Sequence, residues 1–228
     1  MLLSVSVLLT CMNTLSIAQS TPQWPFDRAA LSELQKTEKK VFAHYFSPFP
    51  ISIDNKPPGN DYYQRGFLTD NGEKNKHLKY GGFIRQRPLT RLPRDEQNWV
   101  ESDLRQEVRM ASELGLDGFS YDMLSIPGSS KHWAKLLKLL DVVKDLDNGF
   151  KILLMPDMTA GYKSNPEALV PAITQLANHP SVYRNDEGIL VIAPYNGYAQ
   201  KPEYWVNVRK QLKAQGIEIS LWLTFQGW

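Results

Sequence analysis

A carboxylate delivered by a buried strand to a protein's rim can give or take a proton. Asp157 stands in that position, directly after the apolar run of residues 152–155 and Pro156. Its other reading is a turn cap through Met158 and Thr159, because Asx turns commonly follow strands. Asp122 occupies the matching place after Ser120 and Tyr121, where substrate binding and a structural hydrogen-bond network are both open. Asp117 precedes its strand, on the side that serves stability, and is set aside. Aromatic and amide side chains cluster at the same strand ends: Tyr45, Tyr121, Tyr195 with Asn196, Trp222 and Trp228. Tyr and Trp faces stack on the C–H faces of sugar rings while amides and carboxylates hold hydroxyls, so this set points to a carbohydrate. Core packing is the alternative for each, above all for Trp222, which must alternate with Leu221 and Leu223.

Other chemistries find less support. His44, His77, His132 and His179 fall in unrelated segments without H-E-x-x-H or H-x-H spacing, so neither a metal site nor a cofactor is indicated. There is no G-x-S-x-G elbow, and Ser129-Ser130 before a helix suits capping. Twenty-six Lys and Arg against 24 Asp and Glu leave a net charge of +2, too little for the phosphate neutralisation that nucleic-acid binding requires.

The elements that must position these residues alternate. A short leading helix is expected over Asp27 to Lys40, followed by the strand KVFAHYF at residues 40–46. Residues 47–97, rich in Pro, Gly, Asn and Asp, show no sustained period, and a loop of that length inside a domain is usually functional. Helical spacing of Trp99, Leu104, Val108, Ala111 and Leu114 then leads to the strand DGFSYDM. Helices follow over residues 132–146, 166–177 and 202–214, with strands over 150–156, 188–193 and 217–224. Five strands separated by helices predict a parallel α/β sheet, and the doubly apolar strands KILLM and ILVIA need both faces covered. No G-x-G-x-x-G or Walker-type lysine follows the first strand, whereas polar and aromatic residues follow every strand. That pattern favours a (β/α) barrel of the TIM type over an open doubly wound sheet.

Residues 1–18 carry no charged side chain, hold the apolar run of residues 2–9 and end in Ser16-Ile17-Ala18. They read as a signal peptide cleaved after Ala18, giving a secreted or periplasmic protein with no membrane span after cleavage. The single cysteine, Cys11, lies inside this leader, so the mature chain would have neither a disulfide nor a cysteine nucleophile. Residues 19–40 are then linker and leading helix, and 41–228 the barrel domain.

Three segments in order, KVFAHYF, DLRQEVRMASELGLDGFSYDM and LLMPDMT, resemble the endo-1,3-α-glucanases (mutanases) of glycoside hydrolase family seventy-one. The resemblance runs from Val41 to about Trp228, apart from the first long loop. It implies a (β/α)8 barrel and inverting hydrolysis of α-1,3-glucosidic bonds, in which one carboxylic acid protonates the leaving oxygen and a second carboxylate activates water. The aspartate of the family's D-M-[ST] segment matches Asp157, and the histidine of A-H-[YF] matches His44. Asp122 stands where the family has Asn, which bears on local hydrogen bonding and linkage preference.

The family's later W-N-D-[YF]-G-E-type segment has no counterpart before the sequence stops at LWLTFQGW, so the resemblance implies the amino-terminal part of a barrel. Such a part is expected to leave its first and fifth strands with unpaired edges, to self-associate or need a closing partner, and to be at best weakly hydrolytic. Two other functions stay open: a catalytically dead carbohydrate-binding barrel, and a hydrolase of another α-glycan such as α-mannan.

Overall fold

The computed structural model describes residues 30–69, 71–76, 78–80, 87–128 and 130–223. Five strands form one sheet: β1 (Phe42–Tyr45), β2 (Gly118–Met123), β3 (Lys151–Pro156), β4 (Leu190–Ile192) and β5 (Ile219–Leu221). All are parallel, and their order across the sheet is their order along the chain. A leading helix α1 (Leu31–Gln35) precedes β1, and α2 (Trp99–Glu113), α3 (Lys131–Leu146), α4 (Leu169–Leu176) and α5 (Pro202–Ala214) fill the four crossovers. Residues 1–18, expected to be a signal peptide, and Asp27, the expected start of the leading helix, lie outside the described residues.

The strand order decides the architecture. Right-handed crossovers that always step the same way place every helix on one side, whereas a doubly wound sheet reverses direction to cover both. The packing follows that rule. Leu104 and Val108 of α2, Leu136 and Leu140 of α3, Leu169 and Ile173 of α4, and Val208 and Leu212 of α5 share one buried cluster. The strand residues in that cluster are alternate ones: Phe119, Tyr121 and Met123 of β2, Ile152 and Leu154 of β3, Leu190 and Ile192 of β4. Their neighbours Leu153, Val191 and Ala193 form a second cluster with Phe42 and Tyr183. Successive strand residues point to opposite faces, so this second cluster belongs to a helix-free face. A sequentially ordered parallel sheet with all its helices on one side is a sector of a TIM-type barrel, and the helix-free face is the one that such a barrel turns inward.

Several elements differ from the sequence expectation for local reasons. The expected strand 188–193 pairs only over Leu190–Ile192. The segment before it wedges between β3 and β4: Val182 bridges Ile152, and Arg184 pairs antiparallel with Leu190. A tight turn closed by Gly188 N–H on the Asn185 carbonyl (2.9 Å), with Gly188 at φ +76°, folds that segment back. The expected helix from Pro166 starts as a 3-10 turn and becomes α-helical only at Leu169. At the start of β2 a side chain on Gly118 would collide with the Lys151 carbonyl oxygen and the Phe42 ring, so glycine lets β1 and β3 close on β2 there.

The described parts of the long segment after β1 hold local structure that its composition did not predict. A π-helical turn, Tyr63–Phe67, buries Tyr63 and Phe67. Arg91 grips Asp103 of α2 through both carboxylate oxygens at 2.6 Å, and Arg94 adds a third contact at 2.9 Å. Arg87 pairs with the buried Asp61. These charge-assisted bonds, stronger than neutral ones, hold a Pro- and Gly-rich stretch against the helix layer.

Candidate active site

Strand alternation sorts the candidate residues. On β2, Gly118, Ser120 and Asp122 take the helix-free face because Phe119, Tyr121 and Met123 are committed to the helix-side core. His44 of β1 shares that face with Phe42. Asp122 pairs in register with Met155, and Asp157 comes two residues later, just past the end of β3, where its bridge to Tyr195 continues the helix-free parity. Asp122 and Asp157 are both buried, with 4% and 5% of their surfaces exposed, which sets them apart from ordinary surface carboxylates.

Burial without full hydrogen bonding disfavours a charged carboxylate. Asp122 Oδ1 is buried and has no hydrogen-bond partner among the described residues, while Oδ2 lies 3.8 Å from His44 Nε2. Desolvation first, and the neighbouring Asp157 charge second, push Asp122 up to about 7. The contact with His44 is too long for a strong hydrogen bond, and the half-exposed His44 leaves this edge of the site open to water. Asp122 is thus a carboxyl whose proton is held well above the usual carboxylate range, so that a large share of it stays protonated near neutral pH.

Asp157 has a different environment. Its Oδ1 accepts the Thr159 amide N–H at 2.7 Å and the Thr159 hydroxyl at 2.6 Å, the turn geometry read as one option from the sequence. Among the described residues no hydrogen bond reaches Oδ2. Tyr195 sits alongside: it forms a parallel bridge with Asp157, and Met158 N–H donates to its carbonyl at 3.1 Å. His44, Asp122, Asp157 and Tyr195 therefore gather at the carboxyl ends of β1 to β4.

Tyr45 and Tyr121, expected at the mouth, lie on the other side of the sheet. Each is adjacent in sequence to a residue of the helix-free face, and alternation turns it toward the helices. Tyr45 donates its hydroxyl to Glu107 Oε2 at 2.6 Å, and Tyr121 donates to the His132 carbonyl at 2.9 Å. Their rings stack at 5.5 Å inside the helix layer, and Tyr121 is 1% exposed, which removes it from any sugar-stacking surface. Asn196 adopts a left-handed conformation, φ 56°, and its carbonyl closes the next turn by accepting from Ala199 N–H. That is a turn position suited to asparagine. Trp222 alternates with Leu221, is 43% exposed and meets Tyr183 edge-on at 5.8 Å, which places it on the helix-free face. Trp228 lies outside the described residues.

Sequence reasoning missed Phe46, Phe49 and Tyr183. Phe46 stacks on His44 at 6.3 Å and meets Phe49 at 5.5 Å, which extends an exposed aromatic surface from Asp122's neighbour. The signal was available for Phe46, since residues 42, 44 and 46 share strand parity. Tyr183 meets Phe42 at 4.8 Å, and nothing in its local sequence marks the wedge that carries it there. Among the described residues no group of three or more His, Cys, Asp or Glu side chains could hold a metal ion, and no helix is long and apolar enough to cross a membrane.

No protein-family profile and no curated protein matches the chain. Among solved structures it is similar to the GH99 endo-alpha-mannosidase from Bacteroides thetaiotaomicron, at 20% identity and a TM-score of 0.37, over 46% of this chain and 30% of that one. The same enzyme in complex with BIS-TRIS-propane matches at 21% identity and a TM-score of 0.37, over 46% and 32%. The chain thus spans about a third of the length of these structures.

Proposed function

We propose that the chain carries the proton-handling carboxylates of a glycoside hydrolase acting on an α-linked polysaccharide. Asp122 serves as the acid and Asp157 as the carboxylate that takes a proton from water. The observation that carries this reading is the pairing of two buried carboxylates on the helix-free face, one of them pushed up to about 7. Protonated Asp122 gives its proton to the glycosidic oxygen as the C1–O bond breaks. Water attacks C1 and passes a proton to Asp157. The products are a free hydroxyl, a hydroxyl on C1, ionised Asp122 and protonated Asp157, and solvent exchanges the two protons afterwards. One strand across and two residues along puts the two α-carbons about 8 Å apart from standard sheet spacings. This reading takes the inverting course, in which the two carboxyls stand ~6.5–9.5 Å apart with room for the attacking water.

The resemblance to mutanases favours α-1,3-glucan as substrate, with α-mannan as the runner-up, and the leader sequence favours export. A second reading, glycan binding without turnover, has its own support: Asp157 Oδ1 already holds the Thr159 turn. The test measures release of reducing sugar from α-1,3-glucan and from α-mannan, separately from retention on each polysaccharide. Release lost by at least ~100-fold in Asp122→Asn, with retention kept, supports hydrolysis by this pair. Retention without release favours the binding reading, and neither refutes both.

A further inference from the structure

Between the first halves of α2 and α3, under the segment that follows β1, lies a cavity of about 600 Å³. That is the size of a small-molecule site. Asp122 and Asp157 do not line it. Its walls include four aromatic side chains: Phe46, Phe49, Tyr62 and Trp99. Phe46 and Phe49 are 38% and 39% exposed, unusual for rings that could have packed inward, and Phe46 continues to His44 by stacking. Aromatic surface therefore runs from the edge of the carboxylate site into this cavity.

The charged lining is unbalanced once partners are assigned. Three acids face the cavity, and each is engaged. Asp103 is held by Arg91 and Arg94, and Glu73 accepts the Tyr62 hydroxyl and pairs with Lys76. Glu107 accepts the Tyr45 hydroxyl and the Ile51 amide. The lysines are freer. Lys131, Lys135 and Lys138 line the cavity at i, i+4 and i+7 of α3, one face of the helix. Lys135 Nζ donates to the Ser47 carbonyl at 2.7 Å and is partly offset by the Glu107 carboxylate, whereas Lys131 and Lys138, which flank it on the helix face, have no acidic partner among the described residues. No acidic side chain occupies the first turn of α3, so the helix dipole reinforces the lysines. Like charges one turn apart repel, and an anion seated among them removes that cost.

We propose that this cavity binds the anionic ring of an acidic sugar, with its C–H face on Phe46 and Phe49 and its carboxylate or phosphate among Lys131, Lys135 and Lys138. A neutral sugar would satisfy the aromatic walls and leave the lysine face unneutralised. The proposal extends the carbohydrate reading above to an acidic glycan, while binding here needs no turnover.

The test titrates the full chain calorimetrically with glucuronate, glucose 6-phosphate and glucose, at low salt and at about 0.3 M. The expected result is binding of at least one anionic sugar, weakened by salt, with no heat from glucose. The tighter of the two anions identifies carboxylate or phosphate as the recognised group. Lys131→Glu with Lys138→Glu, both at exposed positions, should weaken that binding by about tenfold or more, and Phe49→Ala by several-fold. Asp122→Asn should leave it unchanged, so failure of the hydrolase reading and failure of this one are told apart. Equal binding of glucose, an unaltered affinity in the double lysine variant, or no binding of either anion would overturn the proposal.

Discussion

Asp122→Asn isolates the cost of holding a carboxylate on the helix-free face. The folded chain keeps Asp122 protonated up to about 7, whereas the unfolded chain ionises it near 3.8. Between these values the native state binds the extra proton, so the contribution of Asp122 to stability is fully present below about pH 4 and is lost as pH rises to 7. The interval corresponds to at most ~4 kcal/mol, at about 1.4 kcal/mol per pKa unit. The half-exposed His44 beside Asp122 marks access of water, and screening lowers the net figure to roughly 2 kcal/mol. Asparagine keeps the shape and cannot ionise. The variant should match the parent near pH 4 and exceed it by about 2 kcal/mol at pH 8, a difference of roughly 4–8 °C in Tm for a chain of this size. Thermal or urea unfolding of both proteins across that range measures it, because titrations common to parent and variant cancel in the comparison. Parallel stability curves from pH 4 to 8 would show that Asp122 is not held neutral, and the assignment of Asp122 as the acid would go with them.

Three further outcomes follow from particular contacts. Asp157→Asn retains the Oδ1 acceptor for Thr159 and should leave stability within about 0.5 kcal/mol while lowering the Asp122 pKa by removing the neighbouring charge; Asp157→Ala should cost about 1–2 kcal/mol through the two lost turn bonds. Titration of the Asp122 carboxyl by carbon-13 NMR reads the first effect, and urea unfolding the second. Asp103→Ala strands Arg91 and Arg94, and should cost about 3 kcal/mol and open residues 46–98 to limited proteolysis, with unchanged cleavage as the contrary result. Exported protein should begin at Gln19, which amino-terminal sequencing checks; a chain still starting at Met1 would refute the leader.

The parts of this molecule legible from sequence are those in which one period dominates. Helices α2, α3 and α5 lie within a residue or two of the expected ends, because apolar residues recur at helical spacing and Pro202 and Gly115 punctuate them. The parallel sheet followed from doubly apolar strands set between helices, and the sequential strand order carries the barrel architecture. Boundaries failed where tertiary contact overrides pattern: the wedge 182–184 pairs with Ile152 and Leu190 and leaves β3 and β4 paired directly only at Leu154 and Ile192, and no local signal foretells it. The candidate site was half legible for a different reason. Position after a strand selects residues near the rim but does not say which face they take, and His44-Tyr45 and Tyr121-Asp122 are adjacent pairs that cannot both face inward. Once Asp122 is inward, Tyr121 must pack against α3, and once His44 is inward, Tyr45 must reach Glu107 of α2. The same parity selects Phe46, a residue that position alone passed over. Parity counted from one trusted carboxylate is therefore the sharper instrument in a barrel strand, and it moves the aromatic surface of this site from Tyr45 and Tyr121 to Phe46 and its neighbour Phe49.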